Sequence, residues 1–299
     1  MKINKIKILC LNVPLKKPYR SLAQNKEAMS GQIKNIFTKK SVGFITSRRE
    51  VLLIIECDNG VNGFGEVVEE PLYGGENIDQ ICQSLLNYKS FLLGEDPLNI
   101  KKIIHKIEKT KNTSNYALAA ITTALMDITG KHMEMPIYNV LGGKVRNYVY
   151  VDYVIPIDEP EKCAQEAVNA LKNGFTNIVQ KIGLNPENDV ETIKQIRENV
   201  GWKIKLAVDA NQGYSKQTAI NTIKKFERYE IEYFEQPIHA SDIEGLSLIT
   251  KKSSILIAAD ESLKTIKNAK KLIEKKAANM FVIEYAKNGG IHNSIKIAE

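Results

Sequence analysis

Apolar and polar residues alternate with period two at the start of the chain, then settle into helical spacing. Residues 3–13, 50–57 and 61–68 read as strands, with Asp58-Asn59-Gly60 a turn signal between the last two. Helical spacing follows near 77–92, 97–110 and 115–132. Strands that give way to helices predict an α+β unit. Within it, residues 20–47 are rich in Lys, Ser, Asn and Gln with little sustained period, which predicts a long loop acting as a mobile lid.

From about 148 the pattern becomes strictly alternating. Strands are expected at 148–156, 176–182, 203–209, 231–236, 254–260 and 279–286. Helices are expected at 159–172, 187–199, 215–229, 241–251, 265–277 and from 291. Six βα units of this kind predict a parallel sheet with right-handed crossovers. A closed β/α barrel takes eight strands. The expectation is therefore an open barrel or a truncated version of a longer chain that lacks about 50 to 70 residues.

Composition narrows the function classes. There are 299 residues, a net charge of +7 and four cysteines, Cys10, Cys57, Cys82 and Cys163, with no CxxC pair to suggest zinc or a disulfide framework. No apolar run is long enough to span a membrane, and the first residues alternate like an opening strand, unlike a signal peptide. A cytoplasmic protein with no membrane partner is expected. The lysines are spread over many amphipathic helices, and no nucleic-acid-binding pattern accompanies them, so nucleic acid is not expected as a partner.

The candidate chemistry lies at the strand ends. Asp209, Glu235 and Asp260 close the runs Leu206-Ala207-Val208-Asp209, Tyr233-Phe234-Glu235 and Ile257-Ala258-Ala259-Asp260. Their spacings, 235 − 209 = 26 and 260 − 235 = 25, are close to one βα unit each. Successive units of a barrel would set all three at the rim where such folds keep their active sites. Three converging carboxylates suit Mg²⁺, with Mn²⁺ as the alternative ion; the competing reading is three separate helix caps. Asn211, Gln236 and Glu261 add a polar neighbour to each acid. One unit earlier, Lys181 ends its own strand and is the candidate general base for removing a proton α to a carboxylate. A lysine reaching from the rim to solvent is the alternative.

These words together resemble the enolase superfamily, specifically its muconate lactonizing enzyme subgroup. The resemblance rests on Val208-Asp209-Ala210-Asn211, Phe234-Glu235-Gln236-Pro237, Ala259-Asp260-Glu261-Ser262, Lys181-Ile182-Gly183 and Lys287-Asn288-Gly289-Gly290-Ile291. Gly63-Phe64-Gly65-Glu66, Ala119-Ala120-Ile121 and Leu141-Gly142-Gly143 extend it through the first half. It implies an α/β fold: a (β/α) barrel of the enolase type with six units present and the seventh and eighth strands missing, behind an N-terminal α+β capping domain. The domains are expected at 1–130, with the lid at about 16–47, and at 131–299.

The resemblance also implies a Mg²⁺-dependent isomerase or lyase. Such an enzyme would cyclise, racemise or epimerise a small carboxylate through an enediolate, with Asp209, Glu235 and Asp260 as ligands and Lys181 as base. Self-association is implied as well. Tyr19, Arg20, Asn211 and Lys287 are candidate substrate contacts. Two positions depart from the family pattern. Val179 replaces the first lysine of a lysine-x-lysine motif, and Glu284 stands where a second catalytic lysine is usual, as an acid or base of its own or as a partner of Lys181. On a continuing strand Lys287 would face away from Glu284. The alternative reading is a truncated, non-catalytic relative that keeps the metal site or only the fold.

Overall fold

The computed structural model describes the backbone of residues 1–23, 33–34 and 41–299 and the side chains of 1–16 and 45–299. Two compact units emerge. The first comprises Met1–Lys16, Thr46–Asn147 and Ile283–Glu299; the second comprises Lys17–Ile45 and Tyr148–Val282.

Strands β1 (Ile3–Ala23), β2 (Ile33–Lys34), β3 (Ser41–Cys57) and β4 (Asn62–Val68) form one sheet in the order β1-β3-β2, with β4 also on β3. β3 and β4 pair antiparallel from Glu50↔Val68 to Glu56↔Asn62, and Gly60 takes the left-handed φ of +85° that their turn requires. The stretch read as a loop at 20–47 is therefore strand at both ends. β1 runs on to Ala23 and β3 begins at Ser41, because a backbone ladder needs no apolar side chains to form. The rest of the expected lid, and the side chains of Tyr19 and Arg20, lie outside the described residues.

Three helices complete the first unit's core: α1 (Ile78–Leu92), α2 (Ile100–Glu108) and α3 (Asn115–His132), followed by the short α4 (Ile137–Val140). α1 is closed by a capping box between Asn77 and Gln80. α3 lies so close to β4 that a Cβ on Gly63 or Gly65 would sit 2.2 Å from the Ala124 carbonyl oxygen or 1.9 Å from that of Ala120. That approach explains why glycines face the small residues Ala120 and Ala124. Val51, Leu53, Ile55, Ile81, Leu85, Ile103, Ile107 and Leu125 fill the space between, and burying each contributes roughly 1.5–3 kcal/mol.

The second unit is a parallel sheet of six strands in the order β10-β9-β8-β7-β6-β5. They are β5 (Asp152–Ile155), β6 (Asn177–Lys181), β7 (Lys205–Asp209), β8 (Ile231–Glu235), β9 (Leu256–Ala259) and β10 (Met280–Phe281). Helices α5 (Pro160–Lys172), α6 (Pro186–Val200), α7 (Lys216–Phe226), α8 (Ile243–Lys252) and α9 (Ile266–Glu274) connect them. Side chains of Asn185, Ser215, Asp242 and Thr265 cap the last four. Buried Arg197 donates to the carbonyls of Tyr229, Gly201, Ile204 and Glu230, tying the end of α6 to the approaches of β7 and β8. The sheet curls strongly. Tyr233 on β8 donates to Asp152 on β5, three strands away, at 3.4 Å, a reach that flat strands about 4.8 Å apart would not allow. The expected six βα units are present, and β5 and β10 form the two edges among the described residues.

The last strand is shorter than its apolar pattern suggests. β10 ends at Phe281, and the following residues turn back to the first unit, where helix α10 (Ile291–Ala298) packs on α3. Gly290 allows this contact, since a Cβ there would meet Thr122 Oγ1 at 2.0 Å. Asn115 Nδ2 also donates to the Lys287 carbonyl at 2.8 Å. The face argument for Glu284 and Lys287 consequently fails. Both lie beyond the strand, and Lys287 Nζ is 3.5 Å from Glu284 Oε2.

Candidate active site

Strand register assembles the acidic rim of the second unit. Lys181 pairs with Asp209, and Asp209 with Glu235. Side chains alternate along a strand, so Val179, Lys181, Ala207, Asp209, Tyr233 and Glu235 share the concave face, while Ile178, Val208 and Phe234 turn to the helices. Glu235 is level with Ala258, which puts Asp260, two residues on, at the same rim.

The side chains are held firmly. Asp209 is 1 % exposed; one of its oxygens accepts from the Asn211 amide at 2.7 Å and the other from the Lys181 ammonium. Asn211 donates through Nδ2 to Glu261 at 3.2 Å. Gln236, fully buried, accepts from the amides of Asp260 and Ser262 at 3.0 and 3.1 Å and donates to Ser262 Oγ at 2.9 Å. Gln212 bonds its amide to the Gln236 carbonyl and accepts from Ala240. These amides lock the loops after β7, β8 and β9 to one another. Asn211, Gln212 and Gln236 all hold positive φ, which places backbone strain at the rim.

The electrostatics follow from crowding. Withdrawal from water, with the charges of Asp209 and Asp260 beside it, pushes the Glu235 carboxyl well above the ordinary range. The same causes push Glu261, 2 % exposed, up to about 8. One oxygen of Glu261, Oε2, is buried without a hydrogen bond. Among the described residues no three His, Cys, Asp or Glu side chains stand arranged as a ready ligand set; Asp209 is turned onto Lys181 instead. Even so, the donor chemistry fits a hard divalent ion: carboxylates from three neighbouring strand ends, repelling one another in a site poor in water. Lys181 now supplies the positive charge that the acids demand.

The remaining expected residues are described within their own units. Glu284 belongs to the first unit, where Lys287 and Glu70 are its partners, and burial with the Glu70 charge pushes it up to about 7. Lys287 is 5 % exposed in the same unit. Val179 is buried on the concave face two residues before Lys181. Gln212, Ser262 and the Tyr233–Asp152 pair were not singled out from the sequence. Period-two spacing from Glu235 would have placed Tyr233 on its face, whereas nothing local marks Gln212 or Ser262 as a bridge.

A curled parallel sheet with acids at consecutive strand ends, in a chain that also carries an α+β unit, defines an enolase-type barrel protein. The chain belongs to the mandelate racemase / muconate lactonizing enzyme family: that N-terminal domain matches residues 32–142 and the enolase C-terminal domain-like family matches 162–299. It is 33% identical to the L-Ala-D/L-Glu epimerase of Clostridium acetobutylicum, over 99% of this chain and 78% of that protein. It is 29% identical to the N-succinyl-L-Arg/Lys racemase of Bacillus cereus, over 100% of this chain and 76% of that protein. Among solved structures, the dipeptide epimerase of Enterococcus faecalis complexed with Mg and L-Leu-L-Tyr superposes with a TM-score of 0.88 at 32% identity, covering 99% of this chain and 78% of that one. Epimerases, racemases and cycloisomerases are thus its relatives. Among the described residues no helix is long and apolar enough to cross a membrane.

Proposed function

We propose that this chain is a Mg²⁺-dependent enzyme of the isomerase or lyase type that removes the α-proton of a small carboxylate, with dipeptides and N-acylamino acids as the first substrates to test. The observation that carries this reading is the register that sets Lys181 beside Asp209 and Asp209 beside Glu235 at one rim. Asp209, Glu235 and Asp260 would hold the ion, which supplies Lewis-acid stabilisation of the second negative charge that develops on the substrate carboxylate. Lys181 is the base. With the acids neutralised by a divalent ion, its ammonium no longer serves as their counter-charge, and a nearby cation favours the free amine that accepts a proton. Asn211, Gln212 and Gln236 position the acids and keep the rim rigid.

The test is exchange of the substrate α-proton in D₂O, followed by ¹H NMR with L-Ala-L-Glu, a hydrophobic dipeptide, an N-succinylamino acid and muconolactone, each with and without Mg²⁺. Mg²⁺-dependent exchange is expected with at least one, and Lys181→Ala lowers it about 10²–10⁴-fold, the usual worth of a positioned base. Absence of exchange with every substrate would sink the reading. A second reading, a non-catalytic relative that keeps the metal site, is favoured by Val179 and Glu284 standing where the family pattern has lysines. It predicts Mg²⁺ binding with no exchange.

A further inference from the structure

Two thiols separated by 72 positions meet in the first unit. Cys10 Sγ on β1 and Cys82 Sγ on α1 are 2.9 Å apart. Cys10 is exposed and Cys82 half-buried, whereas Cys57 and Cys163 are buried. Cys82 follows the core residue Ile81 on α1, and both Cys82 and Ile8 of β1 pack, partly buried, against the core of the unit. Past Cys10, the strand is exposed at every residue from Leu11 to Pro14. The pair thus stands where β1 leaves the packed part of its unit.

We propose that Cys10 and Cys82 are an oxidation site that closes to an intramolecular disulfide under a hydroperoxide. The sulfurs need to approach only from 2.9 Å to the ~2.0 Å of an S–S bond. The exposed Cys10 thiol reacts first: its sulfur attacks the peroxide, the O–O bond breaks, the hydroperoxide is reduced to an alcohol or water, and Cys10 becomes a sulfenic acid. Cys82 sulfur then attacks Cys10 sulfur. The S–O bond breaks, and the hydroxide leaves with the Cys82 proton as water. Burial, with Cys10 beside it, holds the Cys82 thiol up at about 12, so it waits as a protonated partner and the exposed sulfur is the one that meets the oxidant. The bond ties the first strand to the first helix and shortens the unfolded chain's freedom across the loop between them.

The experiment treats the reduced 299-residue chain with one equivalent of hydrogen peroxide under native conditions, quenches, alkylates the remaining thiols in denaturant, and maps peptides by mass spectrometry. The expected result is a Cys10–Cys82 linked peptide with the loss of two hydrogens, Cys57 and Cys163 fully alkylated, and a higher urea midpoint for the oxidised protein. Cys10→Ser abolishes the link and the shift in midpoint. Cys82→Ser leaves a Cys10 sulfenic acid that a dimedone probe captures. Wild-type protein in which Cys10 accumulates as sulfenic or sulfinic acid, pairs between molecules, or links to Cys57 or Cys163 would overturn the proposal.

Discussion

The molecule carries two clusters of carboxylates with a lysine in each, and they solve the same electrostatic problem differently. In the second unit Asp209, Glu235, Asp260 and Glu261 are brought together by the register of parallel strands and pinned by amides. In the first unit Glu66 and Glu70 lie in and just past β4 while Glu284 comes from near the other end of the chain, and phenols attend two of them. Tyr116 donates to Glu70 at 3.1 Å and Tyr285 to the Glu66 backbone at 3.0 Å. Lys287 lies beside Glu284. Crowding at the rim is built into the sheet, and the Lys181 ammonium on Asp209 meets part of it. Crowding in the first unit is relieved by a proton on Glu284, whose carboxyl is poised at about 7. The lesson is that acidic composition alone does not define a metal centre; the backbone must hold the acids where they cannot separate.

The largest effect that tests this contrast is stabilisation by metal. Mg²⁺ at about a hundred times its dissociation constant raises the unfolding free energy by about 2.7 kcal/mol, read as a rise in the thermal midpoint. Glu235→Gln removes that rise and Glu284→Gln leaves it intact. Equal stabilisation of both variants would erase the distinction between the clusters.

A smaller effect is the pH dependence of the first unit. The native Glu284 carboxyl titrates at about 7 against an ordinary 4.5, so the folded chain binds more protons. Stability from this group is complete below about 4.5, falls as pH rises towards 7, and is level above it. With its side chain 35% exposed, Glu284→Gln gains about 1 kcal/mol at pH 8 after allowance for solvent screening, and nothing at pH 4. Urea unfolding at several pH values measures this, and a slope identical in the variant would assign the titration to another group.

The smallest effect concerns the curl of the sheet. Tyr233→Phe removes the 3.4 Å bond to Asp152 and costs about 0.5 kcal/mol, the low end for a half-exposed hydrogen bond. A loss of several times that size in urea unfolding would mean that the bond organises the rim as a whole.

Much of this architecture was legible in the chain. The runs ending in Asp209, Glu235 and Asp260 are short apolar strings closed by an acid, and their strands, Lys205–Asp209, Ile231–Glu235 and Leu256–Ala259, appear within a few residues of their expected places. The misreadings have two physical causes. Met280 to Ala286 is apolar enough for a long strand, yet only Met280–Phe281 pairs, because Ala286 is buried in the core of the first unit. Residues 20–23 and 41–47 looked like loop, yet they continue strands whose ladders do not depend on apolar side chains. An apolar residue declares that it will be buried; it does not declare which core will bury it.

Local pattern already carried the alternation of strands and helices after residue 148, the face on which the three acids and Lys181 fall, and the family whose motifs they spell, since these depend on short apolar runs and a spacing of about 25 residues. The pairing of Lys181 with Asp209, of Glu284 with Glu70 and Lys287 in the first unit, and of Cys10 with Cys82 came from packing. Those meetings depend on the path of the chain through space. Local pattern fixes which way a side chain points from its strand, while the partner it finds is set by how distant segments pack.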